Sequence, residues 1–290
     1  MSYSYYPGCS LHSTGAEYDV SIKFVFKKLG IEFEEIKGWN CCGTTPAHCT
    51  SKYLSIALPA RNLKLVEDSG NSKVAVPCAS CFSRLKRARY EISQDKELAQ
   101  KVNEIIEADF SNTVDVIHPL DIIKNDIGID RLKEKMEKSL SGIRVACYYG
   151  CLMTRPPEVT EFDNCEYPVI MDEILSEMGA EPIDWGYKTD CCGASFSISR
   201  ISSSLKLMSK IFKDVASRGA DCISVACPLC HANLDTRQED INNAEGTKYS
   251  IPVFYFSELL ALALGAKKGD LAFRKHIIDP SVILQQYDIG

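Results

Sequence analysis

The sequence predicts an α/β protein with two similar domains, each built on a mostly parallel sheet flanked by helices. Strand-like and helix-like segments alternate along the chain, and that order favours parallel strands joined by helical crossovers. One spaced set of cysteines occurs twice, which indicates an internal duplication. The 290 residues provide enough chain for about two domains. We therefore predict one domain at residues 1–139 and a second at residues 140–290.

The first half is predicted to alternate short strands with longer helices. Aromatic or alternating runs mark the strands, and apolar residues at helical spacing mark the helices. Gly30 stands where a helix C-cap is expected. The elements are, in order, the strand YSYYPGC, a helix over 15–30, the strand IEFEEI, a helix over 51–68, the strand KVAVPC, a helix over 80–91 and the extended run VDVIHPLDII.

The second half is predicted to repeat this order after a charged connector at residues 131–142. Its elements are the strand RVACYYG, a helix over 167–179, the strand EPIDW, a helix over 200–218, the strand CISVACP, a helix from 229 and the run IPVFYFSELL. The repeated order of strand and helix supports two domains of one architecture.

Ten of the 14 cysteines fall into two sets with the same order along the chain. Each set has a single cysteine, an adjacent pair followed by glycine, and a Cys-x-x-Cys block. The sets are Cys9, Cys41, Cys42, Cys78 and Cys81 in the first half, and Cys151, Cys191, Cys192, Cys227 and Cys230 in the second. Each block follows a predicted strand. The blocks of one half should therefore meet at the carboxyl edge of its sheet, where open α/β sheets bind ligands.

Five converging thiolates limit what such a site can hold. A structural zinc ion takes four ligands, and an ordinary cubane 4Fe–4S cluster takes one cysteine on each iron. Five thiolates suit a multi-iron cluster in which one sulfur bridges two irons or the cluster is opened, because two adjacent cysteines diverge and reach different irons. Disulfides or buried thiols explain the duplicated spacing poorly. Zinc, a cubane cluster and the unusual cluster remain as alternatives on spacing alone.

The doubled pattern of one cysteine, then Cys-Cys-Gly, then Cys-x-x-Cys resembles the CCG cysteine-rich domain family, and within it the B subunits of heterodisulfide reductases. The resemblance covers essentially the whole chain. It implies two non-cubane 4Fe–4S clusters, each held by the five cysteines of one set. It also implies an activity, the reduction of the mixed disulfide of coenzyme M and coenzyme B to two thiols. This reduction needs two electrons, and two clusters flanking the disulfide would supply one each.

The resemblance further implies partner subunits. Electrons would reach this chain from the iron–sulfur C subunit of such a reductase. Beyond the C subunit would lie an A subunit that carries flavin and iron–sulfur clusters and performs electron bifurcation. In methanogenesis, a hydrogenase or formate dehydrogenase module would supply the electrons. The alternative is a CCG-domain subunit for electron transfer or membrane attachment in a succinate:quinone reductase or related dehydrogenase. Its membrane contact would be the apolar segment 251–266, which we interpret instead as a strand and a core helix.

Composition excludes several other classes. The net charge of -6 argues against nucleic acid as the main partner, because a phosphate-binding surface needs a basic excess. The N-terminal residues do not resemble a signal peptide, and no apolar run reaches the roughly 20 residues that span a bilayer. We expect a cytoplasmic protein without a transmembrane segment.

Several residues outside the two sets are secondary candidates. Cys147 and Cys222 lie inside predicted strands and are predicted to be packing residues, while Cys49 and Cys165 are assigned no role. The histidines near the cysteines are interpreted first as loop residues, although each is placed to donate a hydrogen bond or a proton. Candidates for tuning a cluster are His12, His48, His231, Thr44, Thr45, Ser80 and Ser195, and candidates for holding an anionic substrate are Arg84, Arg87, Lys188 and Arg200.

Overall fold

The computed structural model describes residues 2–44 and 46–289. Within them, the strands form two four-stranded sheets, one in each half, and every strand pair is parallel. The first sheet contains β1 (Ser2–Tyr5), β2 (Glu32–Glu35), β3 (Lys73–Ala75) and β4 (Asp115–Ile117). The second contains β5 (Arg144–Tyr148), β6 (Glu181–Pro182), β7 (Cys222–Val225) and β8 (Val253–Tyr255). The predicted α/β class with two similar parallel-sheet units is confirmed.

Helices follow the strands and cover both sheets. Those of the first half are α1 (Gly8–Leu11), α2 (Ala16–Leu29), α3 (Pro46–Thr50), α4 (Lys52–Asp68), α5 (Ala79–Gln94), α6 (Lys96–Ile106), α7 (Pro119–Asp121) and α8 (Ile129–Glu134). Those of the second are α9 (Pro157–Thr160), α10 (Ile170–Glu177), α11 (Ile201–Ser217), α12 (Pro228–Thr236), α13 (Gln238–Glu245), α14 (Phe256–Ala263) and α15 (Ser281–Gln286). A π-helical turn spans Ile122–Ile127, and 3-10 turns span Ala194–Phe196, Lys268–Asp270 and Phe273–Lys275.

Both sheets have the same strand order, which places the crevice of each half. The orders are β2-β1-β3-β4 and β6-β5-β7-β8. In each sheet the second strand pairs with one side of the first strand, and the third strand pairs with its other side. The connections therefore diverge between β1 and β3, and between β5 and β7. Such a switch point opens a crevice at the carboxyl ends of the two strands, which is the usual ligand position in this class.

The predicted long helices are present with small shifts at their ends. Gly30 ends α2 in the left-handed conformation with φ 69°, as its C-cap position predicts. The predicted strand EPIDW is shorter in the structure, where pairing covers only Glu181–Pro182. The predicted connector contains the end of α8, and the second sheet begins at Arg144.

The apolar segment 251–266 belongs to the core. It forms β8 and α14, and all eight residues of α14 are buried. This helix packs against α2 of the other half, where Ser21 Oγ and Ser257 Oγ lie 2.7 Å apart and the rings of Tyr18 and Phe256 meet edge to face. The two sheets therefore share one buried interior. Among the described residues, no helix combines the length and apolarity needed to cross a membrane.

Candidate functional site

The three cysteine blocks of each half lie together at the carboxyl edge of its sheet. In the first half, Cys9 lies in α1 just after β1, and Cys42 lies in the loop after β2. Cys81 lies in the first turn of the helix after β3, and its Sγ is 3.3 Å from that of Cys42. The equivalent pair in the second half, Cys192 and Cys230, is separated by 3.6 Å. Two blocks separated by about 40 residues in sequence thus meet in each half, as the strand order requires.

The adjacent cysteines point in different directions. Cys41 and Cys191, the first of each pair, are exposed, whereas Cys42 and Cys192 are buried. The backbone N–H of the following glycine donates to the exposed sulfur, at 3.5 Å for Cys41 and 3.3 Å for Cys191. One thiol of each pair therefore faces the interior of the site while the other lies at its rim. Such a divergent pair suits a group with several metal atoms better than a single ion.

Each Cys-x-x-Cys block spans the start of a helix. Cys78 immediately precedes α5 and Cys81 lies in its first turn, while Cys227 and Cys230 occupy the same positions at α12. Helix N-termini carry unpaired N–H groups and a partial positive charge, which stabilise thiolates. The four buried sulfurs thus lie where the backbone favours negative charge.

Two equivalent tyrosines fix the loops that carry the adjacent pairs. Tyr6 OH donates to the carbonyl of Asn40 at 2.8 Å, and Tyr148 OH donates to the carbonyl of Asp190 at 2.6 Å. Asn40 and Asp190 each directly precede a Cys-Cys pair. The duplicated sequence therefore preserves the support of each pair as well as the cysteines themselves.

The two cysteine sets meet at the boundary between the halves. All five cysteines of the second set line one cavity, and Ala79 and Ser80 from the first half complete its wall. Ser80 Oγ lies 3.9 Å from the sulfur of Cys227. The thiols of Cys78 and Cys227 also contact one another across the boundary. A ligand in this cavity would face the second set directly, with the Ala79–Ser80 turn of the first half beside it.

Crowding of the thiols controls their protonation. Hydrogen bonds from Cys41 and Cys81 lower the pKa of Cys42 to about 3. The same hydrogen bonds raise the pKa of Cys41 and of Cys81, and burial adds to the rise. In the second set, a hydrogen bond from Cys151 lowers the pKa of Cys191 to about 6. Each thiolate is stabilised by the protons of its neighbours, so complete deprotonation of a set requires a positively charged core in its centre.

Most of the predicted secondary residues have other partners. The imidazole of His12 lies 3.0 Å from a Glu35 oxygen, and His48 lies 3.3 Å from Arg84. His231 follows Cys230 in sequence, but its Nε2 donates to the carbonyl of Val253. Thr44 and Ser80 do lie beside cysteine sulfurs, at 3.2 Å from Cys42 and 3.9 Å from Cys227, and Ser195 lines the cavity. Thr45 lies outside the described residues.

The candidate cations differ in how they are placed. Lys188 is buried, and its Nζ lies 2.6 Å from Asp172 and 3.1 Å from the carbonyl of Pro168. Arg87 pairs with Glu91 on its own helix, and Arg200 is exposed. Lys188 is therefore engaged in the protein interior and does not serve as a free cation for a substrate.

The leftover cysteines occupy two different environments. Cys147 lies in β5 and Cys222 in β7, and both side chains are fully buried, as predicted for packing residues. Cys49 is exposed on α3, and Cys165 is half-buried in a loop beside Glu166. None of these four positions is among the residues that line the cysteine cavity described above.

Two residues that support the site escaped prediction. His118 Nε2 donates to the carbonyl of Pro77 at 2.8 Å, and Tyr18 OH donates to the same carbonyl at 3.1 Å. Pro77 directly precedes Cys78, so both contacts fix the start of the Cys-x-x-Cys block. Burial lowers the pKa of His118 to about 4, which keeps the ring neutral near pH 7. The sequence does show a histidine directly after β4 and before Pro119. Its distance along the chain from Cys78 gives no sign that its side chain contacts the residue before Cys78.

Gly8 lets the chain pass close to a cysteine sulfur, which yields a prediction. It has φ +69°, and a Cβ built on it would lie 2.8 Å from Cys81 Sγ. We expect Gly8→Ala to displace Cys81 and to lower the amount of iron that the first cysteine set would hold, as the resemblance implies. The control is Gly38→Ala, because Gly38 has a similar φ of +73° but no described atom within 4 Å of its added Cβ. Both variants should lose about 1–2 kcal/mol of stability from backbone strain. Equal iron in the two variants would contradict the predicted contact.

Comparison with known proteins shows similarity along nearly the whole chain. A family model described as a cysteine-rich domain, CCG, matches residues 3–86 and 145–235. The membrane anchor subunit of the 8-methylmenaquinol:fumarate reductase of Wolinella succinogenes is 31% identical, over 96% of this chain and 97% of that protein. The B subunit of the ferredoxin/F420H2-dependent CoB-CoM heterodisulfide reductase of Methanosarcina acetivorans is 29% identical, over 95% of this chain and 93% of that protein.

A third relative and one solved structure extend the comparison. A protein of Archaeoglobus profundus that is described as like the heterodisulfide reductase B subunits is 29% identical, over 91% of each chain. A hypothetical protein from Helicobacter pylori superposes with a TM-score of 0.75 at 12% identity, over 96% of this chain and 52% of that one. This chain therefore spans about half of the Helicobacter protein, and at that identity the likeness concerns the fold alone.

Proposed function

Because this chain belongs to the CCG cysteine-rich domain family, as its cysteine pattern predicts, we propose that it is an oxidoreductase subunit that reduces a small-molecule disulfide. The observation that carries the proposal is the junction of two complete cysteine sets at Cys78 and Cys227. A disulfide has two sulfur atoms and takes up two electrons and two protons to give two thiols. Two equivalent redox sites that meet at this junction suit that reaction.

The donor sets fit iron–sulfur clusters. We propose that the five cysteines of each set hold one non-cubane 4Fe–4S cluster, with the domain boundary near residue 140. Two features support this fit. The thiols can all lose their protons only around a positive core, and the divergent pairs Cys41-Cys42 and Cys191-Cys192 offer sulfurs in two directions. When bound, the clusters would supply the electrons for the reduction.

The chain's own residues hold and enclose the reacting disulfide. Ala79, Ser80 and Leu229 line the cavity of the second set, and Ser80 presents its hydroxyl beside Cys227. That hydroxyl is placed to orient a sulfur-containing substrate by hydrogen bonding. The exposed Cys41 and Cys191 mark the side of the site that opens to solvent, from which substrate and protons enter.

The substrate that we propose is the mixed disulfide of coenzyme M and coenzyme B, because a relative named for that reaction aligns with nearly the full chain. We propose the iron–sulfur C subunit of a heterodisulfide reductase as the electron donor, with the flavin-bearing A subunit behind it. Exposed apolar residues beside the site support a protein partner. Ile198 is 92% exposed, and Phe196 and Ile201 flank it in the segment that follows Cys192.

A second candidate function rests on a specific relative. The Wolinella protein is named as part of a fumarate reductase, and it aligns over 97% of its length with this chain. Under this function the same cysteine site would pass electrons between a quinol and a dehydrogenase partner without cleaving a disulfide. The two candidates therefore differ in whether thiols are released.

One experiment separates the two functions. The anaerobically purified full chain is reduced with a viologen dye and given the coenzyme M–coenzyme B disulfide, and free thiols are counted. We expect about two thiols for every two electrons consumed, with about eight iron atoms per chain. Coenzyme M added alone should also change the electron paramagnetic resonance signal of the oxidised protein. If no thiols appear although both clusters are present, and if a menaquinol reduces the clusters, the quinol-linked function replaces the first.

A further inference from the structure

A second group of metal-binding side chains lies buried behind the cysteine site. His231 of α12, Glu258 of α14 and His276, just after the 3-10 turn Phe273–Lys275, each offer a donor atom, and these atoms lie within 4.8 Å of one another. All three residues are buried. The cysteine site uses none of them, because His231 points away from its neighbour Cys230 and stacks on Tyr255. Their convergence therefore calls for an explanation of its own.

The hydrogen bonds around the group leave the donor atoms facing its centre. His231 Nε2 donates to the carbonyl of Val253 at 2.9 Å, which fixes the ring and leaves its Nδ1 available. Metal-binding histidines commonly donate their other ring N–H to a backbone carbonyl in this way. Glu258 accepts the N–H of Tyr255 with Oε2, while its Oε1 lies 3.0 Å from His276 Nε2. Two ring nitrogens and one carboxylate oxygen are thus directed at one point.

A fourth side chain and two unpaired atoms strengthen the case. Glu17 of α2 is 2% exposed, and its Oε1 lies 4.0 Å from His231 Nδ1. Within the part of the chain that is described, Glu17 Oε2 and His276 Nδ1 are buried without a hydrogen-bond partner. A buried polar atom without a partner is costly, and a second buried carboxylate adds unbalanced negative charge. One divalent cation among these groups would offset the charge of both buried carboxylates.

We propose that His231, Glu258 and His276 bind one zinc ion, with the carboxylate of Glu17 beside the site. Two imidazoles with a carboxylate favour zinc over calcium or magnesium, which take oxygen ligands almost exclusively. The three ligands and Glu17 are all buried, so the site is closed to bulk solvent and is a structural site. It joins α12, α14 and the C-terminal segment of the second half, at the place where α2 of the first half packs against them.

The first test is the zinc content and zinc environment of the full chain. We expect about one zinc per chain beside the cluster iron. X-ray absorption at the zinc edge should show only nitrogen and oxygen neighbours at about 2.0 Å, whereas zinc misplaced in a cysteine set would show sulfur at about 2.3 Å. A sulfur shell around zinc, or a wild-type protein that neither contains zinc nor takes it up from an equimolar solution, would overturn the proposal.

Variants make the assignment specific to these residues. His276→Ala and Glu258→Gln should each lower zinc to less than about a fifth of the wild-type content while the iron content stays unchanged. The matched control is His12→Ala, which removes an exposed histidine paired with Glu35 and should keep full zinc. Retained iron shows that a variant is folded. Full zinc in both His276→Ala and Glu258→Gln would show that the metal binds elsewhere.

Discussion

Cys192→Ser is expected to lower the bound iron to about half of the wild-type value, a loss of about four atoms in about eight. Cys192 is buried, lines the cavity of the second set and lies 3.6 Å from Cys230 at the sulfur atoms. A serine hydroxyl retains its proton near neutral pH and is a poor ligand for iron, so the second cluster should not assemble. Cys42→Ser should have the same effect on the first set, where Cys42 contacts Cys81.

The matched control is Cys222→Ala. Cys222 is as buried as Cys192 but lies within β7, and it is not among the residues lining the cavity. The Cys222→Ala variant should retain all of its iron. Its unfolding midpoint should fall only slightly, because the substitution removes one buried sulfur atom from the core. Iron and acid-labile sulfide per chain, measured beside circular dichroism, distinguish loss of a cluster from loss of the fold. Full iron in either serine variant would show that the five-cysteine assignment is incorrect.

The same variants address whether both clusters are needed. If the two sets act together on one disulfide, each serine variant should lose thiol release almost completely although half of its iron remains. A variant that keeps about half of the activity would instead indicate two independent sites. The contact between Cys78 and Cys227 across the boundary favours the first result.

The meeting of the cysteine blocks within each half could be predicted because it follows from local rules. Each block comes directly after a strand, and parallel strands carry such loops to one edge of the sheet. Gly30 likewise marked the end of α2, because a left-handed residue there suits glycine. These features depend on short stretches of chain, so the sequence alone contains them.

The contacts between the halves could not be predicted in this way. Ser80 lies beside Cys227, and Glu17 beside His231, only because the two sheets pack with α2 against α14. That arrangement depends on the shapes of two assembled surfaces. His231 shows the limit most clearly, since it adjoins a proposed ligand in sequence but turns toward Val253 and away from the cysteines. Closeness in sequence does not determine the direction of a side chain on a helix.

Lys188 is the residue whose role differs most from its sequence-based interpretation. The sequence makes it a candidate for holding an anionic substrate, but its side chain is only 3% exposed and its Nζ lies 2.6 Å from Asp172. Its backbone carbonyl also accepts the N–H groups of Tyr149 and Gly150, which precede Cys151. Lys188 therefore supports the loop of the second cysteine set from inside the protein.

We expect Lys188→Met to lower the free energy of unfolding by about 3–5 kcal/mol, because it leaves the Asp172 carboxylate buried without its cation. The control is Arg200→Met, which removes an exposed cation from the same region and should change stability by less than about 0.5 kcal/mol. Adding Asp172→Asn to Lys188→Met should recover part of the loss, because the amide oxygen can still accept the Tyr149 hydroxyl. No recovery in the double variant would assign the loss to packing instead of charge.

The pH dependence of this loss provides an independent check. Burial already raises the pKa of Asp172 in the wild-type protein, although Lys188 opposes the rise. Without Lys188, the pKa of the folded state should rise further above that of the unfolded chain. A carboxyl group of this kind favours folding in its protonated form, and that contribution is lost as pH rises through the folded-state pKa. The deficit of Lys188→Met relative to wild type should therefore be larger at about pH 8 than at about pH 5 in denaturant titrations. A deficit that is equal at both pH values would mean that the lysine stabilises the loop through the packing of its aliphatic stem and not through its charge.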